Sequence, residues 1–386
     1  MSKICNYPGD QDKNIFLITP QFNTEDKSFC LDQHDILKEI NSKKIDKTTF
    51  YAKDNLLSNF EKQEYLDAIN RIKDYIVRGH VYQINMSQRF SCSFQGDPFE
   101  LFVELFKLNP APFFAYINGD NHQIISTSPE RFLYQNGNYV ETRPIKGTRP
   151  RGKTKEQDEL FHKELRDSEK DDAELSMIVD LLRNDIGKVC EPGSVKVAQH
   201  KRVEKYKNVF HLISIVTGRL NMGSDSVDLI KATFPGGSIT GCPKIRAMEI
   251  IEEMEPNKRH IYTGSIGYIS FHNTMDLSIA IRTATVIGGK LIFSVGGGIV
   301  YDSDPVMEYE ETIHKGQSFF YYTKKINLHL KKTDPSPWIW LNGKFVKGDD
   351  AKIRATSLAF QYGMGLFETI RVEKGNILFW TNTSRG

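Results

Sequence analysis

Three apolar runs in the C-terminal half of the chain carry the clearest strand pattern: Ser265-Ile-Gly-Tyr-Ile-Ser270, Asp276-Leu-Ser-Ile-Ala-Ile-Arg-Thr-Ala-Thr-Val286 and Leu291-Ile-Phe-Ser-Val295. Their lengths and their β-branched residues predict three strands. Gly288 and Gly289 predict a hairpin turn between the second and the third. Apolar and polar side chains alternate along the second run, so Arg282 should point away from its aliphatic side, toward a face that can line a cavity.

Helices are predicted before and after these strands. Residues 61–78 and 170–186 each carry an apolar stripe at helical spacing, and Gly79 and Gly187 mark their C-terminal ends. A third helix should begin at Asp304-Pro305, because an aspartate cap followed by proline is a favourable start. The 386 residues could form two or three average domains, but the length also fits one large α/β or α+β domain with an appendage.

Composition excludes several classes of protein. The 386 residues are 39% hydrophobic and 26% charged, which is typical of a globular protein, and the net charge of +2 gives no electrostatic reason to expect nucleic acid or a membrane as partner. The five cysteines are scattered and form no C-x-x-C pair, so we expect a reducing, cytoplasmic location. No apolar run resembles a signal peptide or a membrane span. The ligand should therefore be a small molecule.

The chain divides into four predicted parts. Residues 1–58 are polar and rich in lysine and form a short N-terminal subdomain, and residues 59–330 contain the strong patterns and form the catalytic domain. Residues 331–337 (Lys-Lys-Thr-Asp-Pro-Ser-Pro) are a linker, and residues 338–386 are a separate piece.

Lys146 is the first candidate for chemistry, within the segment Arg143-Pro-Ile-Lys-Gly-Thr-Arg-Pro-Arg151. Desolvation beside Ile145 and repulsion by nearby arginines both penalise the ammonium form, so they favour the neutral amine that acts as a nucleophile. The three arginines would also suit an anionic substrate. The alternative is a lysine on a turn that the prolines and Gly147 create.

Two acidic pairs repeat the same helical spacing: Asp171 with Glu174, and Glu308 with Glu311. Two helices that bring such pairs together would offer the carboxylate and water ligands that Mg²⁺ prefers. Alternatively, each pair simply lies on a solvated helix face.

Other candidate site residues can also be interpreted as structural. The glycine-rich segment 234–243 leads into a predicted helix, and glycines 296–298 follow a strand, so both can present backbone amides to an anion or can simply be loops. His211 lies in an apolar run and is either a proton donor or a core histidine. Glu130 precedes Lys146 by 16 residues and could pair with it as an acid.

Taken together, several motifs closely resemble those of the chorismate-utilising enzymes, and they occur in unbroken order from about Phe60 to Lys325. They are Ser128-Pro-Glu-Arg-Phe132, the Pro-Ile-Lys-Gly-Thr-Arg-Pro-Arg segment, Ile178-Val-Asp-Leu-Leu-Arg-Asn-Asp-Ile186, Phe234-Pro-Gly-Gly-Ser-Ile-Thr-Gly, Gly264-Ser-Ile-Gly-Tyr268 and Gly-Gly-Gly-Ile299. The family includes anthranilate, isochorismate, salicylate and aminodeoxychorismate synthases. The resemblance implies an α+β domain with the layered α/β/β/α fold of anthranilate synthase component I.

Two positions indicate a branch of the family. Isochorismate and salicylate enzymes carry a water-activating lysine where this chain has Gln83, so water addition is not expected. Anthranilate synthases usually have alanine at the position of Lys146, whereas the aminodeoxychorismate branch uses a lysine there as nucleophile. By this resemblance Lys146 attacks chorismate and Glu130 is the general acid, with anthranilate synthesis as the alternative activity.

The resemblance also implies the remaining roles. Glu174 and Glu311 should bind Mg²⁺, and Asp171 and Glu308 should assist through water. The substrate should be held by residues spread over the domain: Tyr262, Arg282, Gly297, Gly298, Ser238, His211 and Gln83. No Gly-x-Cys-x-Gly nucleophile of a glutamine amidotransferase occurs in the chain, so a partner subunit of that kind should supply ammonia.

The C-terminal piece resembles a different family. Trp340-Leu-Asn-Gly-Lys-Phe345 and Tyr362-Gly-Met-Gly-Leu-Phe-Glu-Thr-Ile-Arg371 are similar to the opening strands of aminodeoxychorismate lyase and the class IV aminotransferases. The piece stops before the lysine that would bind pyridoxal phosphate. We therefore expect a truncated fragment without lyase activity.

Overall fold

The structure is a computed structural model that describes residues 56–320 except 109, 110, 120 and 271, together with residue 42 and six short strands outside that range. The helices are α1 (Lys62–Val77), α2 (Pro98–Leu108), α3 (Lys155–Asp167), α4 (Glu169–Gly187), α5 (Ser226–Thr233), α6 (Lys244–Met254) and α7 (Pro305–Phe320). Residues Gly237–Ile239 form one 3₁₀ turn. The predicted helices α1, α4 and α7 are confirmed, and α7 begins at the predicted proline.

Twenty strands are described. They are β1 (Asn14–Ile18), β2 (Tyr51–Ala52), β3 (Leu57–Ser58), β4 (Gln83–Gln95), β5 (Phe113–Asn118), β6 (His122–Ser128), β7 (Arg131–Asn136), β8 (Tyr139–Arg143), β9 (Ile145–Pro150), β10 (Lys196–Lys205), β11 (Val209–Arg219), β12 (Gly241–Cys242), β13 (Ser265–Ser270), β14 (Thr274–Ile279), β15 (Thr283–Ile287), β16 (Lys290–Ile299), β17 (Trp338–Leu341), β18 (Lys344–Lys347), β19 (Val372–Glu373) and β20 (Asn376–Ile377).

Most strands belong to two large sheets. The first has the order β1-β5-β6-β15-β16-β4-β12, with β2 and β3 also paired to β4. The second has the order β10-β11-β8-β7-β14-β13, with β9 also paired to β11. Strands β17–β18 and β19–β20 form two separate pairs.

The predicted long strand from Asp276 to Val286 is wrong, because the chain breaks at residues 280–282 and passes from the second sheet to the first. Arg282 adopts a left-handed backbone conformation, with φ of 49°, which is outside the range of regular extended strands. The predicted hairpin is confirmed: Ile287 pairs with Lys290, and Gly288 and Gly289 have φ of 55° and 72°, as a two-residue turn requires.

Alternation along the strands explains the layers. On β5, Phe114 and Tyr116 pack under α2, whereas Ala115 and Ile117 contact Ile266 of the second sheet. Helices α1, α6 and α7 cover the first sheet as well, and α3, α4 and α5 cover the second. The domain is thus a helix, sheet, sheet, helix sandwich, which confirms the predicted α/β/β/α fold.

The other predicted parts of the chain are largely outside the described residues. This holds for residues 1–58, for the linker 331–337 and for the segment 338–386 apart from its short strands, so the aminotransferase-like fragment stays a prediction. Within the described part of the chain, no helix is long and apolar enough to cross a membrane.

Candidate active site

A β-bulge at Gly147 places Lys146. On β9, Lys146 pairs with Leu212 and Thr148 pairs with His211, so Gly147 is an extra residue in the ladder. Its φ is 64°, and an added Cβ would lie 2.8 Å from Leu165 Cδ1. Both facts require glycine here. The bulge separates Lys146 from the regular side-chain alternation of the strand.

The Lys146 amine lies inside the domain, with its side chain 12% exposed. Its Nζ is 2.9 Å from Glu174 Oε1 of α4 and 3.4 Å from the carbonyl oxygen of Ser238. A nucleophilic role therefore requires this ion pair to open.

The arginines around Lys146 do not act as predicted, because each guanidinium has its own carboxylate partner. The three pairs are Arg143 with Glu141 at 2.5 Å, Arg149 with Asp171 at 3.1 Å, and Arg151 with Asp158 at 2.7 Å. Their positive charge is therefore largely compensated. The expectation that they repel a charged Lys146 is not supported.

Glu130, immediately before β7, is buried beside Lys146. Burial raises the pKa of its carboxyl, although a hydrogen bond with the Ser238 side chain, the charge of Lys146 and the backbone of Ile145 oppose this. A carboxyl that keeps its proton to higher pH than usual suits a general acid. The structure thus brings Glu130, Lys146 and Ser238 together.

Glu130→Gln should lower the activity of the enzyme but raise its stability at neutral pH. Turnover should fall by about 10²–10⁴-fold, because the proton donor is lost. The raised pKa means that the folded wild type binds this proton more tightly than the unfolded chain, so wild-type stability should fall as pH rises from the ordinary carboxyl pKa through the raised value. The neutral variant should lack this decline and be more stable at neutral pH. Urea unfolding from pH 4 to 8 measures the difference, and identical pH profiles would contradict it.

Arg282 and His211 form the next part of the site. Burial lowers the pKa of the Arg282 guanidinium, and among the described residues no carboxylate pairs with it. Burial and then the charge of Arg282 lower the pKa of His211 to about 3, so this histidine is neutral at physiological pH. Its Nδ1 is 2.9 Å from Thr148 Oγ1. A buried guanidinium without a counter-ion is suited to an anionic ligand.

The glycines of β16 lie close to several polar side chains of the predicted site. A Cβ on Gly298 would collide with Gln83 Nε2, and one on Gly297 would lie 3.2 Å from Glu308 Oε2. Tyr262 lies close by, and burial raises the pKa of its hydroxyl to about 12. Any side chain at these glycines would therefore fill the site.

The two acidic pairs partly converge around Gly297 and Gly298. Glu174 of α4 lies beside Gly298, and Glu308 and Glu311 of α7 lie beside Gly297. Asp171, in contrast, pairs with Arg149. Burial raises the pKa of Glu174, but the charge of Lys146 and hydrogen bonds from Lys146 and Gln83 outweigh it and leave this pKa below its usual value.

The carboxylates of α4 and α7 lie close together around Gly297 and Gly298. Carboxylate oxygens are the type of ligand that a hard cation such as Mg²⁺ prefers. In the described range, no three His, Cys, Asp or Glu side chains are arranged to hold a metal. Two of the carboxylates pair with lysines: Lys146 Nζ lies 2.9 Å from Glu174 Oε1, and Lys315 Nζ lies 2.6 Å from Glu311 Oε1. Both ion pairs would have to open on metal binding.

Sequence reasoning missed two basic residues at this site. Lys315 also donates to the Gly296 carbonyl oxygen at 3.1 Å, and its spacing of four residues from Glu311 on α7 was a usable signal. Arg259 donates to the carbonyl oxygens of Asn85 and Ile239 at 2.5 and 2.8 Å. Its spacing of four residues from Glu255, with which it forms an ion pair at 2.6 Å, was a similar signal, whereas its two carbonyl partners are distant in sequence.

The comparisons with known proteins define the class of this protein. Residues 7–321 match the family of chorismate binding enzymes, and the chain belongs to that family. It is 50% identical over 258 residues to aminodeoxychorismate synthase component 1 of Klebsiella aerogenes, an alignment that covers 67% of this chain and 57% of the relative. It is 46% identical over 264 residues to anthranilate synthase component 1 of Aquifex aeolicus, covering 68% and 53%. The chain thus spans a little over half the length of these relatives.

Solved structures confirm the fold. Anthranilate synthase component I from Streptococcus pneumoniae superposes with a TM-score of 0.64 at 36% identity, over 74% of this chain and 64% of that one. The menaquinone-specific isochorismate synthase from Escherichia coli gives a TM-score of 0.63 at 20% identity, over 74% and 68%. The second likeness concerns the fold alone.

Proposed function

We propose that this chain is an aminodeoxychorismate synthase component I, which converts chorismate and ammonia into 4-amino-4-deoxychorismate for para-aminobenzoate and folate biosynthesis. The observation that carries the proposal is the position of Lys146, whose Nζ lies 2.9 Å from Glu174 Oε1 next to the buried carboxyl of Glu130. A buried amine beside a proton donor is the arrangement that nucleophilic displacement of a hydroxyl needs.

The proposed reaction has two displacements. The uncharged Lys146 amine forms a bond to C2 of chorismate, the two ring double bonds shift, and the C4–O bond breaks while Glu130 gives its proton to the departing oxygen, which leaves as water. The new secondary ammonium returns a proton to Glu130. Ammonia then bonds to C4, the two double bonds shift back, and Lys146 leaves C2 with the proton of Glu130. The C4 ammonium finally reprotonates Glu130, so that the enzyme is restored.

The surrounding residues position the substrate in this proposal. Arg282, Tyr262 and the amides of Gly297 and Gly298 hold the enolpyruvyl carboxylate, while Ser238 and the neutral His211 line the ring. Mg²⁺ bound by Glu174 and Glu311, with Asp171 and Glu308 assisting through water, would neutralise the ring carboxylate.

Gln83 is the proposed position for ammonia. Its Nε2 donates to Glu174 Oε1 at 2.7 Å, and its buried Oε1 has no hydrogen-bond partner among the described residues. An unpaired amide oxygen is available to accept an N–H from ammonia. A glutamine amidotransferase subunit is the proposed source of that ammonia.

Product identification tests the proposal and distinguishes it from anthranilate synthesis. The protein is incubated with chorismate, MgCl₂ and ammonium chloride, and the products are identified by liquid chromatography and mass spectrometry. We expect 4-amino-4-deoxychorismate and no pyruvate, because this product keeps its enolpyruvyl group. Formation of anthranilate together with an equal amount of pyruvate would assign the chain to the other branch of the family.

A further inference from the structure

Arg89 is a buried cation outside the candidate active site. It lies on β4 opposite Ser294 of β16, and it is 8% exposed. Because side chains alternate along the strand, Arg89 shares a face with Ser87 and Gln83, whereas Met86 and Phe90 on the other face pack under the helices. Ser87 Oγ is 2.8 Å from Glu255 Oε1, so this face is covered by the loop that follows α6.

Among the described residues, no carboxylate pairs with the Arg89 guanidinium. Two other little-exposed arginines are compensated: Arg131 Nε lies 2.9 Å from Asp276 Oδ1, and Arg259 Nη2 lies 2.6 Å from Glu255 Oε1. An isolated buried charge is strongly unfavourable unless a counter-ion is bound. The position of Arg89 therefore points to an anion.

Arg282 provides an internal comparison. Burial lowers the pKa of both Arg89 and Arg282, and each has a neutral histidine next to it. Burial and then the charge of Arg89 lower the pKa of His260 to about 4, just as His211 responds to Arg282. The His260 side chain is nevertheless solvent-exposed. A ligand can therefore reach the imidazole from solvent.

We propose that Arg89 and His260 form a second binding site, which takes a small monocarboxylate. The guanidinium offers paired donors that match a carboxylate, and the neutral imidazole and the Ser294 hydroxyl can each donate one hydrogen bond. One positive charge balances a single negative charge, which favours a monocarboxylate over a phosphate dianion. The site needs no assumption about the reaction that the enzyme catalyses.

The proposed site is separate from the candidate active site, but one loop contributes residues to both. Arg89 lies four residues along β4 from Asn85, a distance of roughly 13 Å in a strand. Asn85 contacts Arg259 and Tyr262, the residues on either side of His260 in the same loop. A carboxylate held by His260 therefore touches the loop that carries Tyr262.

Benzoate binding tests this site, with benzamide as the uncharged control. Calorimetry is done at constant ionic strength on the full chain carrying Arg282→Met, so that the first guanidinium cannot contribute. We expect saturable binding of one benzoate, no comparable binding of benzamide, and a loss of at least tenfold in benzoate affinity when Arg89→Met is added. Arg166→Met, on the exposed face of α3, is the matched control and should leave the affinity unchanged.

Thermal unfolding supplies a second readout. Benzoate should raise the melting temperature of the Arg282→Met protein but not of the double variant, because ligand that binds only the folded state stabilises it. If the double variant does not fold, Arg89→Lys and His260→Ala replace it and should each weaken benzoate binding severalfold. Equal affinity with and without Arg89, equal binding of benzamide, or a preference for inorganic phosphate would overturn the proposal.

Discussion

Lys146→Ala is expected to lower formation of 4-amino-4-deoxychorismate by about 10³-fold or more, as loss of an essential nucleophile does in other enzymes. In the wild type without ammonia, chorismate and magnesium should produce a covalent adduct that accumulates, because its breakdown needs the second nucleophile. Intact-protein and peptide mass spectrometry should locate the added mass on the peptide that contains Lys146.

Two controls accompany this experiment. Lys163→Ala removes an exposed lysine of α3 and should retain both the adduct and full turnover. Ammonia added to the adduct should release it as product. If Lys146→Ala makes aminodeoxychorismate at the wild-type rate, the lysine is not the nucleophile and the assignment to this branch of the family loses its main support.

Glu174→Ala and Glu311→Ala should each reduce turnover by more than the ~10–100-fold that is typical of outer-shell partners of a metal. The reason is that one acidic pair offers too few oxygen ligands for an octahedral cation. Mn²⁺ binding, measured by electron paramagnetic resonance, should weaken in parallel, which separates a metal defect from a defect in chemistry.

Matched controls are available on the same helices. Asp180→Ala on α4 and Glu310→Ala on α7 remove exposed carboxylates and should change neither Mn²⁺ affinity nor turnover. Circular dichroism should show that all four variants stay folded. Full activity of Glu174→Ala or Glu311→Ala in metal-chelated buffer would contradict the magnesium assignment.

The sequence predicted those elements whose signal is local. Helices α1, α4 and α7 follow from apolar spacing and end signals, and the hairpin turn follows from the adjacent glycines 288 and 289, which adopt positive φ angles. The break after Ile279 was missed because apolar and polar residues continue to alternate across it. Alternation reports which face is apolar, and it does not report which sheet a strand joins.

The sequence indicated residues that lie close together in the fold, but it did not indicate their ion pairs. Glu130 and Lys146 are 16 residues apart, and strands β7, β8 and β9 fold this interval back so that the two side chains meet. The arginines beside Lys146 were misjudged because Arg149 finds its partner, Asp171, 22 residues away on a helix. Motif order in a family preserves such positions, whereas charge compensation depends on the folded neighbours.

The crossing at residues 280–282 gives the domain a mechanical property. These three residues connect the end of β14 in the second sheet to the start of β15 in the first, and Arg282 is one of them. A shift of one sheet relative to the other would therefore move the Arg282 guanidinium. If Arg282 holds the substrate carboxylate as proposed, substrate binding would also restrain the connection between the two sheets.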